Sequence, residues 1–284
     1  FITHDIESYF NVVSWTFNTC AEFILTEELN DGKIFCAGSY TEYSDNGIIL
    51  TKFNSNGSFD STYHGNGILK IPLNMNGLKI LETHRIESDQ LLFVGRVDGN
   101  YLVSFITNND GTLDLSYGQS GYAIDSSTTL NSFDIFNSKI ITEFKNNKLY
   151  VGYNDIVTNS SGFVISRYLN NGQLDSTFGL NGKSVVSFSN TQLVLIGFDI
   201  LDDNRILAGV LREYIPVSGF TYMLDSLGQI DSSIFNNGVL EGEFNGLAGA
   251  FEKAIELQNG DWIFAGANPS GSLISRYSAS LNVP

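Results

Sequence analysis

The sequence of 284 residues is poor in cysteine, proline and positive charge, and each shortage narrows what the protein does. Only Cys20 and Cys36 are present, too few to identify a redox compartment. A hairpin turning at Asn30-Asp31-Gly32 sets Cys36 opposite Thr26 rather than Cys20, so both are expected as free, buried thiols acting as small apolar residues. Four prolines against 28 glycines point to many tight turns rather than a disordered linker. Fifteen basic against 31 acidic residues leave a formal charge of −16, which repels phosphate backbones and anionic lipid heads and excludes nucleic acid as a partner. No apolar run reaches the roughly 18 residues of a membrane span, so no membrane insertion is expected. The amino end, FITHDIESYFNVVSW, carries Asp5 and Glu7 and has no basic region followed by an apolar stretch, which is unlike a signal peptide. There is no Gly-x-Ser-x-Gly elbow and no phosphate-cradling Gly-Lys-Ser/Thr loop. His4, His64 and His84 stand at unrelated places without cysteine or acidic partners at ligand spacing, so no metal and no cofactor are expected.

What is present is a core-forming composition, 42% apolar and 13% aromatic, and a repeat. The segments KIFCAG, LLFVG, LYVG, RILAG and WIFAG end at Gly38, Gly95, Gly152, Gly209 and Gly266, a constant spacing of 57 residues. Five such units account for essentially the whole chain, and a period of this size marks stacked supersecondary units. Each unit reads as four strands with alternating apolar residues and no helical periodicity. The sequence therefore predicts an all-β fold: a five-bladed β-propeller of four-stranded antiparallel blades, occupying residues 1–284 as a single domain.

Between the third and fourth strands one phrase recurs: GSFDSTYHGNG from Gly57, GTLDLSYGQSG from Gly111, GQLDSTFGLNG from Gly172 and GQIDSSIFNNG from Gly228. Its first glycine suits a turn needing positive φ. Asp60, Asp114, Asp175 and Asp231 each precede a Ser or Thr within two residues, so the carboxylate is expected to accept local hydrogen bonds in an Asx-type turn. Tyr63, Tyr117, Phe178 and Ile234 are expected to plug the gap between blades. A repeated calcium loop is the competing reading, and Leu169 stands where the other copies have Asn54, Asn108 and Asp225, an apolar side chain that cannot ligate.

The stretch RYLNNGQLDSTFGLNGK, Arg167 to Lys183, preceded by NKLYVGY, resembles the delta-60 repeat, a β-propeller repeat of secreted bacterial proteins often exported by type IX secretion. The resemblance recurs at four to five places over nearly all of the chain. It departs at the fourth copy, where Ile234-Phe235 replaces an aromatic-Gly pair. The resemblance implies an extracellular or cell-surface location and assigns no reaction.

The fifth unit, GSLISRYSASLNVP, has three strands and no fourth, whereas NVVSWTF near the amino end reads like KSVVSFS of the third unit. Residues 1–17 are therefore expected to supply the closing strand of the last blade and tie the ring shut. Ten residues before each periodic glycine stand Glu28, Arg85, Thr142, Asp199 and Glu256, which propeller symmetry places around one channel mouth. Glu28, Arg85, Asp199 and Glu256 are the candidate ligand-binding ring. The loops at 39–47, 153–162 and 210–219 fall at one point of successive blades and offer Tyr, Asn and Asp side chains, a surface suited to a glycan or protein partner. The leading expectation is a non-catalytic binding or display module at the cell surface. The alternative is a five-bladed glycoside hydrolase-like enzyme using the channel-mouth carboxylates.

Overall fold

Runs of β-branched and aromatic residues punctuated by Gly, Asn and Asp leave paired strands as the way to satisfy the backbone. The computed structural model describes residues 20–29, 31–42, 45–73, 75–86, 90–108, 110–129, 140–157, 160–189, 193–212, 218–244, 247–248, 250–268 and 271–277. The first sheet contains β1 (Cys20–Glu28), β2 (Ile34–Glu42), β3 (Asp45–Phe53) and β4 (Ile68–Pro72), and the second contains β5 (Lys79–Arg85), β6 (Leu91–Val97), β7 (Tyr101–Thr107) and β8 (Tyr122–Thr129). The third contains β9 (Ile141–Lys145), β10 (Lys148–Val157), β11 (Ser160–Leu169) and β12 (Lys183–Ser189). The fourth is β13 (Leu193–Ile200), β14 (Ile206–Arg212), β15 (Ser218–Leu224), β16 (Val239–Phe244) and a two-residue β17 (Leu247–Ala248). The fifth is β18 (Ala250–Glu256), β19 (Trp262–Asn268) and β20 (Gly271–Tyr277). In every sheet the strands pair antiparallel in chain order, so the architecture is all-β and propeller-like, with five meander sheets. The chain falls into two compact units, residues 1–131 with the first two sheets and residues 132–284 with the other three. The expected closing strand at residues 1–17 lies outside the described residues.

The periodic glycine has a steric cause that composition did not reveal. In four of the five sheets the first strand carries a β-bulge, and the glycine sits across from it: Gly38 opposite Phe23, Gly95 opposite Ile80, Gly209 opposite Gly197 and Gly266 opposite Phe251. A Cβ on Gly38 would lie 2.0 Å from the carbonyl oxygen of Glu22, and one on Gly95 would lie 2.5 Å from that of Lys79. Both clashes are with backbone, which cannot swing aside. Across from the shorter β9, Gly152 is required differently, because its Cβ would meet Leu195 and Phe198 of the next sheet at 2.7 and 2.8 Å.

The middle strands are buried at consecutive positions, as in Leu91 to Val94 and Leu102 to Ile106. Ala37, Ile48 and Leu50 of the first sheet share a core with Ile80, Leu91, Phe93, Val103 and Phe105 of the second. In the second unit, Tyr150, Phe163, Ile165 and Phe178 pack on Leu195, Phe198, Ile206, Tyr222 and Leu224. Leu201, Leu207 and Met223 then pack on Trp262 and Phe264 of the fifth sheet.

Two expectations need correction. Cys36 does pair with Thr26 and is a free thiol, but it is half-buried, and the Thr26 hydroxyl donates to its sulfur at 3.6 Å. Cys20 lies across from Thr41 in the backbone pairing. The stretches 39–47 and 153–162 are not long loops: β2 runs to Glu42 before β3 starts at Asp45, and β10 runs to Val157 before β11 starts at Ser160. Cross-strand pairing continues to the hairpin tip because Thr, Tyr, Ile and Val in these stretches are good strand formers.

Candidate functional site

The recurring phrase is a structural corner in all four copies. Gly57, Gly111, Gly172 and Gly228 have φ between 80° and 82°, the left-handed conformation that glycine adopts without a Cβ penalty. Each corner carboxylate accepts the backbone N–H two residues on, from Thr62 at 3.1 Å, Ser116 at 2.9 Å, Thr177 at 3.1 Å and Ser233 at 3.1 Å. The hydroxyl of the same Ser or Thr donates to the same oxygen. One oxygen of each carboxylate is thus committed to the turn. Tyr117 and Phe178 are buried, and the Phe178 ring lies where a Cβ on Gly228 of the next corner would fall. At the fourth copy Ile234 takes the aromatic position and Phe235, at φ 55°, turns to Trp262 and Phe264, with ring centroids 6.2 and 6.3 Å away.

Two corners carry additional charge. Lys33 donates to Asp60 at 2.9 Å, and Lys148 and the Arg167 Nε both donate to Asp175 at 2.9 Å. Hydrogen bonds from Thr62 and then Lys33 hold Asp60 down to about 2. Burial works to raise Asp175, but the hydrogen bonds from Lys148 and Thr177 and the charge of Arg167 outweigh it and hold that carboxyl well below the usual range. The Arg167 guanidinium also stacks 4.5 Å over Phe178 and donates to the Ser226 carbonyl at 2.6 Å.

Of the four ring candidates, Glu28, Arg85 and Glu256 end their strands and Asp199 stands one residue before the end of β13. In the first unit Glu28 ends β1 and is exposed, and Arg85 ends β5. Arg85 pairs with Glu27 at 2.8 Å, so the neighbouring carboxylate rather than Glu28 meets it. In the second unit Thr142 is buried in β9, whereas Asp199 and Glu256 come together in the wall of one cavity of about 430 Å³. The ends of β13 and β18 bring them there, and Asp202, Asp203 and Gln258 from adjoining turns, with Lys145 at the end of β9, complete its polar lining.

The cavity is electrostatically organised. Lys145 donates to Asp202 at 2.9 Å and to the Ile200 carbonyl at 2.8 Å. Arg205 bridges Asp203 and Glu256, at 2.6 Å to each, and stacks over Trp262 at 5.6 Å. Lys253 on β18 pairs with Glu143 on β9 and lies 3.7 Å from Asp199 on β13, so the first strands of three sheets converge. Asp202, Asp203, Lys145, Arg205 and Lys253 were missed from sequence. Their only signal was proximity to the strand-end positions, since each takes its role from a neighbouring sheet. Among the described residues no group of three or more metal-type ligands gathers. His64, on the exposed face of its corner, lies 2.8 Å from the Asp110 carbonyl.

Comparison with known proteins fits this architecture. A family model described as a domain of unknown function (DUF5122) beta-propeller matches residues 29–63 and 145–178, which supports a β-propeller repeat family. No curated protein matches the chain in sequence. Among solved structures, the polysaccharide lyase Uly1 is 9% identical with a TM-score of 0.39, covering 91% of this chain; the chain spans 58% of that protein. The α-L-arabinofuranosidase PaAbf62A from Podospora anserina, in complex with cellotriose, is 11% identical with a TM-score of 0.36, covering 91% of this chain and 90% of that one. An endo-1,4-β-xylanase from Bacteroides thetaiotaomicron is 9% identical with a TM-score of 0.37, covering 92% and 91%. These three structures are named as enzymes acting on polysaccharides and glycosides, where the sequence led to the expectation of a non-catalytic binding module. At such identities and TM-scores they assign no reaction to this chain.

Proposed function

We propose that the protein cleaves glycosidic bonds, as a glycoside hydrolase-like enzyme whose working carboxylates are Asp199 and Glu256. The observation that carries this reading is the cavity of the second unit, about 430 Å³ and lined by both residues from strand ends in adjacent sheets. Glycoside cleavage needs two carboxyl groups flanking the scissile bond, one protonating the leaving oxygen and one activating water or attacking the sugar. Arg205 and Lys253 position the pair, and Lys145 and Gln258 offer donors to sugar hydroxyls. In the same reading the five sheets are blades of one propeller over residues 1–284, closed by residues 1–17 as a fourth strand of the fifth sheet, which has three strands among the described residues. The resemblance to exported delta-60 repeats supports an extracellular protein, a type IX substrate acting on a glycan at the cell surface.

The test is a panel of nitrophenyl glycosides and plant and microbial oligosaccharides incubated with the full chain. Release of nitrophenol or new reducing ends is expected, and Asp199→Asn or Glu256→Gln should lower the rate roughly 10³-fold while circular dichroism stays unchanged. No turnover across the panel, or undiminished turnover in both variants, overturns the proposal.

A further inference from the structure

The first unit holds its own cavity, of about 190 Å³, between the first and second sheets. Its walls join the apolar Phe35, Leu50 and Leu91 to the polar Lys52, Arg85 and Thr107. Internal repetition shows which of these residues are unusual. Phe53, Thr107, Tyr168 and Leu224 occupy one structural position, each bridging to the residue before its corner aspartate. Three copies fill that place with a large side chain, and the second sheet has a threonine. Lys52 and Arg167 likewise correspond, since each accepts the corner aspartate's N–H on its carbonyl. Arg167 is consumed by Asp175, Thr177 and the Ser226 carbonyl, whereas Lys52 has no ion-pair partner among the described residues.

Thr107 and Lys52 both stand in the wall of the cavity. Thr107 is 0% exposed and its hydroxyl has no hydrogen-bond partner among the described residues. Such a buried, unpaired hydroxyl costs about 1–3 kcal/mol. Arg85 is already charge-compensated by Glu27, so Lys52 leaves an uncompensated positive charge at the wall, in a chain whose net charge is −16. The volume corresponds to about six waters at roughly 30 Å³ each, room for a small molecule and not for an oligosaccharide.

We propose that this cavity binds a small monocarboxylate with a short aliphatic or aromatic body. The carboxylate accepts from the Lys52 ammonium and the Thr107 hydroxyl, and the body lies against Phe35, Leu50 and Leu91. This site is in the other unit from the acidic cavity and does not rest on glycoside cleavage.

Calorimetric titration of the full chain with benzoate and butyrate, and with their neutral amides benzamide and butyramide, tests it. At least one carboxylate should bind saturably at millimolar concentration, and its amide should bind about tenfold more weakly, the worth of one charge-assisted hydrogen bond. Lys52→Met should weaken the carboxylate by a similar factor. Thr107→Leu, which installs the side chain of the equivalent Leu224, should abolish binding without lowering the melting temperature, and Thr107→Val should weaken it while keeping the shape. Absence of carboxylate binding, equal affinity for the amide, or unchanged binding in Lys52→Met or Thr107→Leu overturns the inference.

Discussion

The corners of the first and third sheets and those of the second and fourth build the same aspartate turn and differ in charge. In all four, the aspartate accepts the N–H of a Ser or Thr two residues on. In the first and third, a lysine where the second strand begins also reaches that aspartate, Lys33 just before β2 and Lys148 at the start of β10, each at 2.9 Å. The matching residues elsewhere turn away: Gln90 donates to Asn108 at 2.9 Å, and Arg205 pairs with Asp203 and Glu256. Opposite the aspartate's own N–H stand Lys52 and Arg167 in one pair of corners and Ile106 and Met223 in the other. The family-model matches, residues 29–63 and 145–178, fall on the cationic pair. The turn therefore depends on the aspartate and its Ser or Thr, and the cation is a separable addition. Where it is given up in the fourth sheet, Arg205 becomes available to the acidic cavity.

The largest effect that would sharpen this contrast lies at the buried plug. Phe178→Ala removes a ring with 0% exposure and is expected to cost about 4 kcal/mol, against about 2 kcal/mol for Ile234→Ala at the half-buried fourth corner, both read by urea unfolding. Equal losses would break the comparison at its hydrophobic level. Next comes the carboxylate itself. Asp175→Asn leaves Arg167 and Lys148 without their counter-charge and is expected to cost about 3 kcal/mol. Asp114→Asn, which disturbs only a local turn, should cost about 1 kcal/mol or less by the same measurement.

The smallest effect is one of pH. Asp60 lies at about 2 in the folded chain against an ordinary 3.8, so its stabilisation is complete above about pH 4 and is lost as the pH falls toward 2. Asp60→Asn should accordingly be less stable than the parent near neutrality and show a shallower loss of stability between pH 4 and 2 in acid-unfolding curves. A variant curve parallel to the parent's would mean that the Thr62 and Lys33 hydrogen bonds do not set this corner's acid response.

Much of the fold was legible because a 57-residue period repeats the same local problem. A polar turn, a strand ending in glycine and an Asp-Ser/Thr corner each leave a residue-level mark, and the strands β5 to β8, β10, β11 and β14 to β16 occur where those marks stand. The added strand Leu247–Ala248 was not legible, because two residues folding back on β16 have no periodicity to display. Glu27 rather than Glu28 as the partner of Arg85 was equally hidden. Strand alternation sends adjacent residues to opposite faces, and spacing from the periodic glycine does not say which face meets the neighbouring sheet. Of the candidate ring, Asp199 and Glu256 line one cavity wall.

The sequence by itself determined the all-β character, the five-fold period and the chemistry of each corner, because turns, strands and Asx hydrogen bonds act over a few residues and are written in neighbouring side chains. Only the tertiary structure decided why the periodic glycines are glycine and which cation neutralises which carboxylate. It alone showed where cavities open. Those outcomes depend on the backbone of a bulged strand approaching within 2.0 Å of a would-be Cβ, and on side chains from different sheets arriving at one place. Packing between sheets fixes these distances, and no local pattern records them.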